Sequence, residues 1–264
     1  MTEQTSTDGT VGFPAEKTAI VTGAVSPRGI GRTTVDYLAE RGWNIGIIDL
    51  DDDGCKAVAS EVAAKFNVKA AGVGADVADE TAVRAAVDKL EEQLPQIVAL
   101  VNLAGVSSPV PYLELEPAEW NRVLNINLNG VHYMTRRVSE SLVKNRIGRI
   151  VNISSVSAQR GGGTFSKTPY SVAKAGVIGL TRSVARELGG YDVTVNAVSP
   201  GPIDTDIMGG TLTEERKQAM AAEGVLNRVG RPRDIAAAIH FLIGEDAGFI
   251  TGQTLNVDGG LYMH

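Results

Sequence analysis

Residues 17–32, KTAIVTGAVSPRGIGR, set a short apolar run directly before a glycine cluster that opens onto a helical pattern from Gly31 to Arg41. A buried strand feeding such a turn carries backbone N–H groups to the positive end of a helix, where a phosphate is held. Gly23 permits the turn, Gly29 the close approach and Gly31 tight helix–strand packing. Outward from this unit the alternation repeats. Apolar runs at 44–50, 69–76, 97–105, 148–155, 191–201 and 253–260 read as strands. Helical patterns at 53–65, 80–94, 117–145, 169–188 and 231–243 stand between them. Continuous apolar strands separated by helices indicate a parallel sheet covered on both faces. The expectation is an α/β fold: a doubly wound, Rossmann-type sheet of about seven strands. No linker, repeat or low-complexity stretch interrupts residues 17–264, which read as one domain behind a polar, flexible tail at 1–16.

Composition narrows the function classes. A net charge of −6 gives no electrostatic reason to expect nucleic acid or an anionic membrane. The N-terminus lacks the basic start and apolar centre of a signal peptide. Cys55 is the single cysteine, and His132, His240 and His264 are scattered, so no disulfide and no metal site is expected. A reducing cytoplasm suits this usage.

The second apolar run ends at Asp49, eighteen residues beyond Gly31, where a carboxylate accepts hydrogen bonds from an adenosine ribose diol. A 2′-phosphate there would meet Asp49 with Asp51, Asp52 and Asp53 nearby, which favours NAD over NADP. Asp51–Asp53 read as acids at a helix N-terminus. Arg28 weighs the other way, as a cation in the glycine turn that could hold a phosphate. Asp76, with Val77 after it, ends the third strand and suits the adenine edge; a helix cap ahead of Glu80 is the equal alternative.

Tyr170 and Lys174, in PYSVAKAGV (169–177), share a helical face at i,i+4. A lysine ammonium beside a phenol favours the phenolate, and so makes an acid/base out of a group whose ordinary pKa is about 10.

Taken in order, the glycine turn, Asp49, NLAG, NINLNG, NISS, the Tyr170/Lys174 pair, SPGPIDT and NVDGG resemble the short-chain dehydrogenase/reductase family from about residue 17 to 262. The resemblance implies a catalytic group of Asn127, Ser155, Tyr170 and Lys174; Asn127, which with Asn125 and Asn129 interrupts the helical run at 117–145, is expected to bind a water that passes the proton outward. It also implies a nicotinamide cofactor held by Gly23, Arg28, Gly29, Ile30, Gly31, Asp49, Asp76 and Val77. Asn102, Ala104 and Gly105, then Tyr170 and Lys174, and Pro200, Gly201, Ile203 and Thr205 complete that set. A homotetramer is implied as well, built through the long helices after the fourth and fifth strands and the C-terminal strand.

Three departures stand out. Five residues separate Gly23 from Gly29, a two-residue excess. Leu103 replaces the family's second asparagine in NNAG. Ser155 and Tyr170 are fifteen apart, again two more than usual, with the excess in QRGGGTFSKTP (159–169).

The expected function is hydride transfer between NAD(H) and a small or medium secondary alcohol or ketone. No arginine cluster points to a phosphate or carboxylate, and the EERK charges at 214–217 read as a solvated face. Residues 204–230 read as a lid, with Met208, Leu212 and Met220 as pocket candidates. Phe165 is a packing residue at the substrate border. The alternatives are an NADPH-dependent 3-oxoacyl-carrier-protein reductase and a catalytically silent cofactor-binding regulator.

Overall fold

The computed structural model describes residues 12–208 and 210–263, without the Met208 side chain. In chain order the elements are β1 Thr18–Thr22, α1 Ile30–Ala39, β2 Asn44–Asp49, α2 Asp52–Phe66, β3 Ala70–Gly74, α3 Glu80–Gln93 and β4 Ile97–Asn102. They continue with α4 Pro117–Leu124, α5 Gly130–Asn145, β5 Gly148–Ile153, α6 Ser157–Arg160 and α7 Thr168–Leu188. The last are β6 Val193–Pro200, α8 Glu214–Ala222, α9 Pro232–Ile243 and β7 Thr254–Val257.

One seven-stranded sheet runs in the order β3-β2-β1-β4-β5-β6-β7, every neighbouring pair parallel. Alternate strand residues serve opposite faces. Ala19 and Val21 join Leu38, Val62 and Ile239 from α1, α2 and α9, whereas Ile20 joins Leu90, Met134 and Ala185 from α3, α5 and α7. Both faces are therefore buried, which is why the strands are apolar throughout. Each fully buried valine, leucine or isoleucine adds about 1.5–3 kcal/mol of transfer free energy.

The order reverses between β1 and β4, and the crevice that opens beyond the strands' carboxyl ends at such a switch point is where ligands bind in this architecture.

Two expectations are refined. The interruption of the helical run at 117–145 is a π-helical turn at Asn125–Asn129, where Asn127 turns its amide to backbone groups outside the helix. Of the expected tail, residues 1–11 lie outside the described residues, while Phe13 docks on the body. Its N–H donates to Glu245 Oε1 at 2.7 Å and its ring meets Trp43 edge-on at 5.9 Å. Among the described residues, no helix is long and apolar enough to cross a membrane.

Candidate active site

A cavity of about 960 Å³ opens at the carboxyl ends of the strands. One end is the glycine turn. Gly23 sits at φ +73°, and a Cβ there would lie 2.7 Å from Ala104 Cα. A Cβ on Gly31 would collide with the Gly23 carbonyl. Only glycine allows β1, the turn and α1 to approach this closely. Gly23, Gly29, Ile30 and Gly31 all line the cavity. The two-residue excess folds into a tight turn, with Gly29 N–H on Ser26 O at 2.9 Å.

Asp49 ends β2 facing this turn: its Oδ2 accepts from Val25 N–H at 3.0 Å and its Oδ1 from Leu50 N–H at 2.8 Å. Arg28 turns away from it. Its guanidinium pairs with Asp204 at 2.8 Å and Asp206 at 3.1 Å, in the segment after β6. Asp51 caps α2 by accepting from Gly54 N–H. Asp76 accepts from Ala78 N–H at 2.9 Å, and the cap of α3 falls to Asp79 instead. Val77 is buried against Gly130.

The middle of the cavity is built from β4, β5 and the π-helical turn. Asn102 does not face it. Its amide donates to Thr135 Oγ1 at 3.1 Å and Asn152 Oδ1 at 2.8 Å, and Asn152 in turn donates to Thr181 at 3.0 Å, a buried polar chain joining α5, the sheet and α7. Leu103 and Ala104 donate their N–H groups to Thr22 Oγ1 at 3.0 Å, tying the ends of β4 and β1 together. Asn127 is fully buried. Its Nδ2 donates to Val106 O and Val123 O at 2.9 Å, and its Oδ1 accepts from Val106 N–H at 3.2 Å. Both amide hydrogens are thus committed to backbone, which leaves one acceptor position on Oδ1 for a water.

Ser155, Tyr170 and Lys174 meet at the far side of the same cavity, facing Gly105 and Asn127. A Cβ on Gly105 would stand 2.7 Å from Asn127 Oδ1 and 3.6 Å from Lys174 Nζ. Lys174 Nζ lies 5.6 Å from the Tyr170 ring centre and donates to Ile153 O at 3.0 Å, while Ser154 Oγ grips the Lys174 carbonyl at 2.9 Å. Burial pushes the Lys174 ammonium down to about 8. The Tyr170 phenol is raised by burial, and a hydrogen bond with Ser155 works in the opposite direction. Lys174, helped by the charge of an oxidised nicotinamide, is expected to lower the phenol; in the protein without cofactor, desolvation dominates both groups.

Pro200, Gly201, Ile203 and Thr205 line the floor after β6. Gly201 is pressed against Asp258, where a Cβ would approach Cα to 2.8 Å. The roof comes from the loop between α6 and α7 and from α8. Met220 and Phe165 line it, whereas Leu212 points into the interior. Met208's side chain lies outside the described residues. The solvated face expected at 214–217 is corrected. Arg216 lines the cavity with its guanidinium 4.1 Å over the Phe165 ring, and Lys217 reaches Asp204 at 2.9 Å. Arg160, which also lines the cavity, pairs with Glu223 at 3.2 Å. A single helical turn of mixed charge could not announce these contacts, because Phe165 and Asp204 come from other segments. Cys55 is buried and its thiol is pushed up to about 12, chiefly by burial, so it stays a thiol.

A family model described as enoyl-(acyl carrier protein) reductase matches residues 23–262. An uncharacterized short-chain type dehydrogenase/reductase of Sinorhizobium fredii is 38% identical over 248 residues, covering 94% of this chain and 98% of the relative. This chain belongs to the short-chain dehydrogenase/reductase family. Two further relatives in the family are both named 3-oxoacyl-[acyl-carrier-protein] reductase. The Aquifex aeolicus protein is 39% identical over 246 residues, 93% of this chain and 97% of its own. The Vibrio harveyi protein is 38% identical over 247 residues, 94% and 98% respectively. Membership makes the chain an oxidoreductase acting on a small molecule with a nicotinamide cofactor. The glycine cradle that a Cβ would fill, joined by one cavity to a buried tyrosine and lysine, fits such a cofactor.

Proposed function

We propose that this short-chain dehydrogenase/reductase transfers a hydride between NAD(H) and a secondary alcohol or ketone, with Tyr170 as the acid/base. The observation that carries the reading is the convergence of Ser155, Tyr170 and Lys174 on the cavity that begins at the glycine turn.

The nicotinamide, when bound, accepts the hydride in oxidation or gives it in reduction, and its oxidised ring carries a positive charge. Gly23, Gly29, Ile30 and Gly31 would hold the pyrophosphate at the N-terminus of α1, and Pro200, Gly201, Ile203 and Thr205 the nicotinamide end. Lys174, with two ammonium hydrogens beyond the one given to Ile153, would hold the ribose hydroxyls. In oxidation Ser155 donates a hydrogen bond to the substrate oxygen and orients it. Tyr170 Oη, as phenolate, takes the hydroxyl proton while the carbinol hydride leaves; in reduction the phenol returns that proton. Lys174 and the oxidised ring together supply the positive charge that offsets the burial of the phenolate. Asn127 holds the Val106 turn in place.

For cofactor choice, Asp49 beside the glycine turn favours the ribose diol of NAD and disfavours a 2′-phosphate. Arg28, drawn to Asp204 and Asp206, is not offered to that phosphate. A homotetramer is supported by exposed apolar side chains where association is expected, Leu255 on the edge strand β7 and Val172 on α7. A cytoplasmic setting suits the single buried thiol.

The second reading, a 3-oxoacyl-carrier-protein reductase using NADPH, is favoured by the names of the relatives. One experiment separates the two: NADH formation from a panel of secondary alcohols, with NADP⁺, with 3-oxoacyl thioesters plus NADPH, and with Tyr170→Phe in parallel. The expected result is NAD-linked turnover that falls about 10²–10⁴-fold in kcat in Tyr170→Phe with cofactor affinity kept. Turnover confined to NADPH and thioesters would establish the second reading. Undiminished turnover in Tyr170→Phe would remove Tyr170 from the chemistry.

A further inference from the structure

Among the described residues, five charged side chains line the cavity: Arg160, Lys174, Asp206, Arg216 and Glu223. Four of them have their interactions accounted for. Arg160 pairs with Glu223, Asp206 with Arg28, and Lys174 donates to Ile153 O beside Tyr170. Arg216 is different. Among the described residues no carboxylate pairs with it, and its Nη2 is buried with no hydrogen-bond partner. Its guanidinium carbon lies 4.1 Å from the Phe165 ring centre, which stabilises the cation, and its buried Nη2 still lacks an acceptor. A guanidinium N–H edge suits a planar, anionic, two-oxygen group. Phe165 lies five residues before Tyr170, on the loop that leads into α7, and Arg216, Phe165, Ser155 and Tyr170 all line the same cavity.

We propose that Arg216 recognises a carboxylate on the substrate, which makes the substrate a hydroxy acid and its oxo-acid partner instead of a neutral alcohol. This rests on the proposed dehydrogenase function and names its substrate class. Arg216 lies on α8, in the segment expected to be a lid, so the substrate's own charge would draw that helix over the reacting carbon. The chemistry is unchanged: the carbinol hydride goes to the nicotinamide and the hydroxyl proton to Tyr170.

The test uses the full chain, straight-chain 3-hydroxy acids of four to eight carbons and their methyl esters, which differ in charge but share the carbinol. The wild type is expected to prefer acid over ester in kcat/KM. In Arg216→Gln the acid-to-ester ratio should fall about 10²-fold, with partial recovery in Arg216→Lys, which keeps the charge and loses the fork. A ratio that does not move, or a wild type that prefers esters or thioesters, overturns the proposal. So does a variant that loses NAD⁺ affinity while keeping the ratio, since Arg216 would then serve the cofactor. Ligand-observed NMR with hexanoate and hexanamide reads the same site without turnover. Hexanoate binding that is lost in Arg216→Gln upholds the anion site even if every alcohol is inert and the dehydrogenase reading fails. Equal binding of the two probes, or binding untouched by the variant, overturns it.

Discussion

Lys174 is buried between the sheet and α7, and desolvation holds its ammonium near 8 against an ordinary 10.5. The cost of burying that charge is present in full below pH 8 and is relieved as the pH rises. Between pH 8 and pH 10 the unfolded chain binds more protons at this group than the native one does, so stability from this site increases with pH. The raised Tyr170 phenol acts only above its ordinary value of 10, outside this window. Urea midpoints of the wild type and Lys174→Met, taken from pH 7.5 to 10, should therefore show the wild type gaining on the variant, on the order of 3 kcal/mol at the upper limit. Parallel pH profiles would mean that Lys174 is solvated. The Tyr170/Lys174 pair was legible from its i,i+4 spacing, but the direction of the Tyr170 shift was not, because burial belongs to the surroundings and not to the pair.

At the scale of elements, the glycines do more than turn the chain. In β3, a Cβ on Gly72 would run into the Cys55 carbonyl in the first turn of α2, and one on Gly74 would come within 2.5 Å of Asp52 Cβ. Asp52 also accepts from Gly74 N–H at 2.7 Å, so α2 is fastened directly onto β3. Helix backbone yields less than a side-chain tip. Gly72→Ala should thus destabilise the fold by roughly 1–3 kcal/mol, read as a lower urea midpoint with an unchanged m-value. A neutral result would show that α2 slides freely on the sheet. The strands and most helices follow from periodicity to within three residues. The π-helical turn follows in part: Asn125, Asn127 and Asn129 mark an interruption in the run 117–145, but not its form. What opens it is Asn127, whose amide bonds both backbone groups of Val106, twenty-one positions earlier.

Over the whole molecule, the surface carries apolar side chains that a lone protomer leaves in water. Phe249 is fully exposed, Leu255 lies on the sheet's edge strand and Val172 on α7. Edge strands and apolar patches of this kind are characteristic association surfaces. Light scattering at micromolar concentration should report a particle of four times 27.7 kDa. Leu255→Glu should shift it to smaller species by placing a charge on the β7 edge. A monomeric wild type would end the tetramer reading.

The sequence by itself determined the doubly wound sheet, the glycine turn at β1 and the order of the motifs. These depend on local properties, namely the period of apolar residues, the missing Cβ of glycine and the spacing of Tyr170 from Lys174. Tertiary structure alone decided the partners. Arg28 meets Asp204 across 176 positions, Asn102 turns inward to Asn152, and Arg216 settles on Phe165 fifty-one residues away. Such contacts, and the desolvation that sets the protonation of Tyr170 and Lys174, exist only once distant segments are packed together, because charge pairing and burial act through space and leave no period in the chain.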